Sequence, residues 1–245
     1  MHVSSRMVAA ASLAALTACG SGSVADGEVV ASPVQAGKPS EKSLDPASLC
    51  DPSRGDFTLD STNPYFPIDV GRQWIYGGEE DGGTVRLVIT VLGQTEVVAG
   101  VTTRVVEERE SIDGELVEVS LNYYAATGEE TVCYFGEAVD IYDNGVVVSH
   151  EGAWRADEPG NAPGIFMPPK PWPGVRFPME LAPGIAEDEA KIVGIGPVTV
   201  PAGSFDDAIR LREFNPLDGG KGYKVFAPGI GMVVDGPAAL VSFST

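Results

Sequence analysis

Acidic side chains are the most numerous groups in this chain that could do chemistry. The 245 residues carry 35 acidic and 16 basic side chains. Two carboxyl groups that face each other across a cleft can hydrolyse a glycosidic bond. Neighbouring residues of a β-strand point to opposite faces, however, so adjacent acids do not by themselves form such a pair. We therefore predict that the acidic runs are solvated turn and edge residues; they lie at 79–81, 107–108, 129–130, 157–158, 187–189 and 206–207.

A serine hydrolase would have to use His150. Ser149 precedes this histidine and Glu151 follows it, but the Gly-x-Ser-x-Gly turn typical of many hydrolases is missing. A histidine beside a polar turn is usually exposed. We predict no catalytic residue, and we keep as an alternative a hydrolase that uses acidic residues or His150.

One turn offers oxygen ligands to a cation. Asp140, Asp143 and Asn144 lie close together before Gly145, and hard oxygen ligands suit Ca²⁺. The complete calcium-loop spacing is absent, and a hairpin explains Asn144-Gly145 equally well. The chain also lacks the cluster of nitrogen and sulfur ligands that zinc needs. We predict neither a metal nor a cofactor.

Aromatic residues are the candidates for ligand binding. Trp74 and Tyr76 share one face of a predicted strand, and Tyr123 lies on a later one. Trp172 lies in the stiff, proline-rich stretch 167–173, which could cover a groove. We predict that Trp74, Tyr76, Tyr123 and Trp172 contact an apolar ligand. The alternative is that these rings fill the core.

The elements that must position these residues are short strands. Residues 84–92 alternate between apolar and polar side chains, as in a strand with one buried face. Asp113-Gly114 and Asn144-Gly145 predict tight hairpins. Residues 157–174 are rich in proline and glycine and predict a long loop. Residues 208–214 are a candidate strand, and one or two helical turns over residues 205–212 are the alternative.

These patterns predict an all-β fold with little helix. The expected architecture is a single curved antiparallel meander sheet or a partial barrel, since a one-sided sheet must cover its apolar face. An immunoglobulin-like sandwich is the competing fold, but its paired cysteines with an intervening tryptophan are missing.

The beginning of the chain directs it out of the cytoplasm. Arg6 and the apolar residues 7–15 precede Leu16-Thr17-Ala18-Cys19. This tetrad resembles the lipobox of bacterial lipoproteins, and an ordinary secretory signal is the alternative. The resemblance implies cleavage before Cys19 and acyl chains, such as palmitate, on that residue. Such chains would anchor the protein in the membrane of the cell envelope, facing away from the cytoplasm. In a Gram-negative host, Gly20 after the cysteine favours the outer membrane.

The expected organisation therefore has three parts. Residues 1–18 form a lipoprotein signal peptide, residues 19–56 a lipidated cysteine and flexible tether, and residues 57–245 a β-rich globular domain. Cys50 and Cys133 remain after lipidation of Cys19, and an oxidising compartment favours a disulfide between them. The alternative is two buried thiols.

The domain itself carries a weaker resemblance. Residues 65–67, 71–76, 200–205 and 227–231 look like segments of uncharacterised bacterial envelope proteins. The strand pattern is also similar to that of the lipoprotein-carrier half-barrel proteins, which hold acyl chains on a concave apolar face.

We therefore expect a non-enzymatic, lipid-anchored envelope protein that binds an apolar ligand or a partner protein. Its net charge of −19 argues against nucleic acid as a partner. Besides the hydrolase, the remaining alternative is a structural module for interactions at the cell surface.

Overall fold

The structure, a computed structural model, describes residues 41–245. The predicted signal peptide, Cys19 and the first part of the tether lie outside the described residues. Strands make up 61% of the structure and helices 3%, which confirms the all-β fold with little helix.

Short helical turns and strands follow one another along the described chain. They are β1 (Lys42–Ser43), α1 (Pro46–Leu49), a 3₁₀ turn (Pro52–Arg54), β2 (Phe57–Thr58), β3 (Gln73–Glu80), β4 (Gly83–Val98), β5 (Val101–Ile112), β6 (Glu115–Thr127), β7 (Val132–Asp143), β8 (Val146–Ser149), β9 (Trp154–Arg155), β10 (Gly164–Met167), β11 (Val175–Pro178), β12 (Glu189–Val200), β13 (Gly203–Phe214), β14 (Lys221–Ala227), β15 (Gly231–Asp235) and β16 (Ala238–Ser244).

All these strands belong to one sheet that is curved and not closed. Its order is β1-β11-β12-β13-β14-β15-β16-β3-β4-β5-β6-β7-β10, and β2, β8 and β9 add short pairings to β6 and β7. Among residues 41–245, the pairing of β1 with β11 is parallel and the other ladders are antiparallel. The two ends of the sheet approach each other, because an isolated bridge joins Ala162, before β10, to Leu181, after β11.

Two hairpins form where the sequence predicts them. Asp113 and Gly114 have φ angles of 52° and 84°, and Asn144 and Gly145 have φ angles of 50° and 76°. A type I′ turn requires positive φ at both central residues, which aspartate, asparagine and glycine tolerate. These turns join β5 to β6 and β7 to β8.

Packing determines the conformation of two segments. Residues 205–212 form part of strand β13, which confirms the candidate strand 208–214 and excludes the helical alternative, because Ile209 and Leu211 pack into the core and are fully buried. The loop predicted over residues 157–174 contains β10, whose four residues are all buried against β7. Tertiary packing therefore overrides local propensity in both places.

The end of the predicted tether lies against the sheet. Cys50, directly after α1, forms a disulfide with Cys133 of β7, with 5.7 Å between the Cα atoms. Phe57 of β2 packs edge-on against Phe135, at 5.4 Å between ring centroids. The predicted disulfide is thus confirmed. A disulfide is typical of proteins outside the cytoplasm.

No helix within residues 41–245 is long and apolar enough to cross a membrane.

Candidate ligand-binding cavity

The concave side of the curled sheet encloses a cavity. About 80 Å³ of it is open to the centres of water molecules, within ≈ 890 Å³ of empty space that includes its opening to solvent. That is room for about five waters or a small organic group. Residues of β3 to β7 and β10 line one side of the cavity. Residues from the segment after β11 through β15 line the other side.

Strand β6 turns its polar face into this cavity. Glu118, Ser120, Asn122 and Tyr124 all line it, whereas the intervening residues point away from it. The pairing with β5 places Glu108 opposite Ser120. The usual rule that polar residues face outward therefore fails for β6, because this strand borders a cavity and not a filled core.

A bulge in β7 adds a further carboxyl group to the same face. Tyr134 pairs with Tyr124, and Glu137 pairs with Asn122, so β7 has one residue more than β6 between these pairs. Gly136, with a φ of 126°, lies within this bulge. Tyr134 and Glu137 consequently both line the cavity although they are three residues apart.

Aromatic rings form one end of the cavity, which we call the aromatic end. The rings of Tyr124 and Tyr134 are stacked at 4.9 Å, and Phe166 packs against Tyr124 at 4.8 Å. Phe66 lies 4.5 Å from Phe166. The hydroxyl of Tyr134 donates a hydrogen bond of 2.6 Å to Asn122, so the aromatic end has fixed ring positions.

Carboxyl groups line the rest of the cavity, which we call the acidic end, and they reach the aromatic end at Glu137, which lies beside Tyr134. Glu118 and Tyr124 mark the two ends on β6 and lie roughly 20 Å apart along the strand. The acidic residues that line the cavity are Glu108, Glu118, Glu137, Glu180, Asp188, Glu213 and Asp235. Seven acidic residues therefore line this one cavity.

Lys224 is the one basic residue among those that line the cavity. Its amino group lies 2.7 Å from Asp235 and 3.4 Å from Glu213. Burial lowers the pKa of Lys224, but the two carboxylates more than offset this effect, so the pKa of Lys224 lies above its ordinary value. The lysine is therefore a fixed cation that two carboxylates share.

Four of the other carboxyl groups have pKa values above the ordinary value of glutamate. Burial raises the pKa of Glu108 to about 8, and the charge of Asp235 adds to this effect. Burial also raises the pKa of Glu118 to about 7 and that of Glu180 to about 8. The pKa of Glu137 is well above its ordinary value, through burial and the nearby Glu180. The acidic end is consequently only partly ionised near neutral pH.

Two of the four predicted ligand contacts lie in the cavity. Trp74 and Tyr76 both line it. The indole nitrogen of Trp74 donates to the carbonyl of Ile230 at 2.7 Å, and the hydroxyl of Tyr76 donates to that of Met232 at 2.9 Å. Because their polar atoms are bonded to β15 and the residue before it, both rings have fixed orientations.

The other two predicted ligand contacts, Tyr123 and Trp172, do not line the cavity. Tyr123 is on the opposite face of β6 from Tyr124, with the guanidinium of Arg155 at 5.6 Å from its ring. Trp172 lies in the loop before β11 and is 64% exposed. A ligand role for either residue remains a prediction.

His150 lies on the outer surface, away from the cavity. Its Nδ1 atom is 2.9 Å from a carboxylate oxygen of Asp140 and 2.8 Å from the carbonyl of Val139. The side chain of His150 is 70% exposed. The neighbouring Ser149 accepts a hydrogen bond from the backbone of Glu151 and does not contact the imidazole.

No group of three or more histidine, cysteine, aspartate or glutamate residues in the described range is placed to hold a metal ion. The turn considered for calcium is occupied by its own hairpin, in which Asn144 donates to Asp143 at 2.9 Å.

Most of the acidic end is not apparent from the sequence. Glu108 and Asp188 belong to acidic runs, but Glu118, Glu137 and Glu180 stand alone in the sequence. A signal was available, because Glu118 and Ser120 repeat every second residue and face Glu110 and Glu108 across the hairpin. Choosing which face lies inside requires the curvature of the sheet, which the alternation does not specify.

No model of a known protein family, no curated protein and no solved structure matches this chain.

Proposed function

We propose that this chain is a lipid-anchored protein of the cell envelope that holds a small ligand inside its curled sheet and does not catalyse a reaction. The observation that carries this proposal is the cavity, which has an aromatic end, an acidic end and rings held in place by hydrogen bonds. Ligand sites are typically concave, with apolar walls and a few polar groups that fix the ligand's orientation.

The anchor follows from the lipobox resemblance at Leu16–Cys19. A disulfide between Cys50 and Cys133 is consistent with export, because such bonds persist in oxidising compartments. Mass spectrometry of the mature protein should find acyl chains on Cys19. An unmodified thiol in a membrane-free product would contradict the anchor and leave the cavity proposal intact.

Native mass spectrometry of the protein purified from its membrane tests the ligand. We expect a small molecule to co-purify with the natural chain and to be lost from Ser120→Phe, because Ser120 lines the cavity and is only 4% exposed. Thr102→Phe is the matched control, since Thr102 is exposed on β5. Equal loading of all three proteins would contradict a ligand inside the sheet.

A hydrolase is the second candidate, and the seven carboxyl groups that line the cavity favour it. Carboxyl groups with different proton affinities can act as the acid and the base of one reaction. Here Glu108 holds its proton to about pH 8, whereas Asp235 is paired with Lys224. Turnover of aryl glycosides that disappears in Glu108→Gln would establish this candidate.

A further inference from the structure

The acidic end carries more carboxyl groups than the chain's own cations neutralise. Lys224 forms ion pairs with Glu213 and Asp235. Glu108, Glu118, Glu137 and Glu180 take part in no ion pair within residues 41–245. A buried carboxylate without a counter-charge is unfavourable. A positively charged ligand would supply that counter-charge.

Glu137 points most directly to such a ligand. Its side chain borders the cavity, and the residue is only 7% exposed. Its polar neighbours are Glu180 and the neutral hydroxyl of Tyr134, whose single proton is donated to Asn122. A carboxyl group that is more than nine-tenths buried therefore faces the cavity without a cation beside it.

Aromatic rings lie next to these acids as well as at the aromatic end. Trp74 pairs with Ile89, which in turn pairs with Glu108, so the indole and this carboxyl group lie two strands apart on one face. The negative face of an aromatic ring attracts cations. Rings and carboxylates together are the combination that holds an ammonium group with an apolar body.

A metal ion fits the cavity less well than an organic cation does. The carboxyl groups come from strands β5, β6, β7, β13 and β15 and from the segment between β11 and β12. In the described residues they do not gather into a set of three around one point. An organic cation has its charge and apolar surface spread over several atoms. It therefore matches the carboxyl groups and rings of the cavity, which are spread in the same way.

We propose that the cavity binds an organic cation: an amine with an apolar body, whose ammonium group lies against Glu137 and Glu108 and whose body lies against Trp74 and Tyr124. This inference rests on the proposed function, because it names the ligand class of the same cavity.

Three compounds of one scaffold test the charge requirement: phenethylamine, the neutral 2-phenylethanol and the anionic 3-phenylpropionate. Binding is measured by titration calorimetry at pH 7.5 on the full chain in nanodiscs of neutral lipid, with empty nanodiscs as the blank. We expect the amine to bind at least about tenfold more tightly than the alcohol, and the carboxylate to bind more weakly than either.

Single substitutions test which carboxyl group the ammonium group of the ligand contacts. Glu137→Gln should weaken the amine at least about tenfold and change the alcohol by less than about twofold, since only the amine interacts with the charge. Glu115→Gln is the matched control, because Glu115 is exposed at the start of β6 and does not line the cavity. If Glu137→Gln loses its near-ultraviolet circular dichroism, Glu108→Gln takes its place.

Proton release supplies a readout that a merely structural role would not change. Bound amine should favour ionised carboxylates, so binding should expel on the order of one proton at pH 7.5 and tighten as the pH rises from about 6 to about 8. Titrations in buffers of different ionisation enthalpy measure this release.

The outcomes separate the two proposals. Equal affinity for amine and alcohol, or amine binding that is unchanged in Glu137→Gln and Glu108→Gln, would overturn the proposal that the ligand is a cation. Either result would leave the cavity as a ligand site. Failure of all three compounds to bind would also overturn the cation, whereas the co-purification experiment with Ser120→Phe decides the proposed function independently.

Discussion

At the scale of single residues, Lys224 determines how much acid the interior can hold. Its side chain is 12% exposed and that of Glu213 is 4% exposed, so both charges are largely withdrawn from water. Such a pair adds little net stability compared with apolar residues, but removal of one partner leaves the other charge buried alone.

Lys224→Met should therefore lower the free energy of unfolding by about 3–5 kcal/mol, the usual cost of breaking a buried pair. Equilibrium urea denaturation at pH 8 measures the change. The loss should shrink toward pH 5, because Glu213, whose burial raises its pKa to about 7, then becomes neutral. Lys221→Met is the control, since Lys221 is exposed on the same strand and should change stability by less than about 0.5 kcal/mol. An equal loss in both variants would show that the pair is unimportant.

At the scale of elements, the bulge of β7 and the disulfide together fix this strand. The bulge brings Glu137 into the cavity. Cys133 lies three residues after the turn residue Glu130, and its disulfide with Cys50 holds the segment that carries α1 against β7. Gly136 is the residue that makes the bulge possible. A Cβ atom at this position would lie 2.3 Å from the carbonyl oxygen of Trp154.

Gly136→Ala should destabilise the fold by about 2–4 kcal/mol, through this contact and the unfavourable φ. Gly128→Ala is the matched control, because no atom lies within 4 Å of a Cβ built there and its φ is not positive. Thermal and urea unfolding of both variants provide the comparison. A Gly136→Ala protein as stable as the natural chain would mean that β7 adopts another register without cost.

Removing the disulfide should also destabilise the fold, by about 2–4 kcal/mol, because an 83-residue loop is no longer closed in the unfolded chain. The Cys50→Ala/Cys133→Ala double variant and chemical reduction of the natural chain should give similar losses. Reductant should not affect the double variant further. A loss below about 0.5 kcal/mol would place the stabilising effect elsewhere.

Elements are also where prediction from sequence works best. Alternation in β4 and the turn pairs Asp113-Gly114 and Asn144-Gly145 depend on local chemistry, and the structure confirms them. The helical alternative for residues 205–212 is wrong, and the loop predicted over residues 157–174 contains the strand β10, because packing against distant strands determines both segments. The site is harder still, since the acids of β6 are recognisable as interior only once the sheet is known to curl around a cavity.

At the scale of the whole molecule, the raised pKa values of the glutamates in the cavity make the free energy of unfolding depend on pH. Ordinary glutamate has a pKa of about 4.3 in an unfolded chain. The folded values are about 8 for Glu108 and Glu180 and about 7 for Glu118. The folded state therefore binds more protons between these limits, so the free energy of unfolding falls as the pH rises through them.

We expect the melting temperature to be higher at pH 5 than at pH 8.5. Glu108→Gln should raise stability at pH 8.5, because it removes a charge that the fold disfavours, and should have little effect at pH 5. Glu115→Gln should behave like the natural chain at both values. Scanning calorimetry across this range tests the dependence, and a melting temperature that increases with pH would contradict the protonated interior.

The parallel pairing of β1 with β11 has a mechanical consequence. Any pull on the chain ahead of residue 41 enters the sheet through this two-residue ladder, which few hydrogen bonds resist. The strand β1 can detach, but the force then reaches Cys50 and passes through a covalent bond to Cys133, at the start of β7. The disulfide thus limits how far such a pull can open the sheet, because β1 would detach while the cavity stays in place.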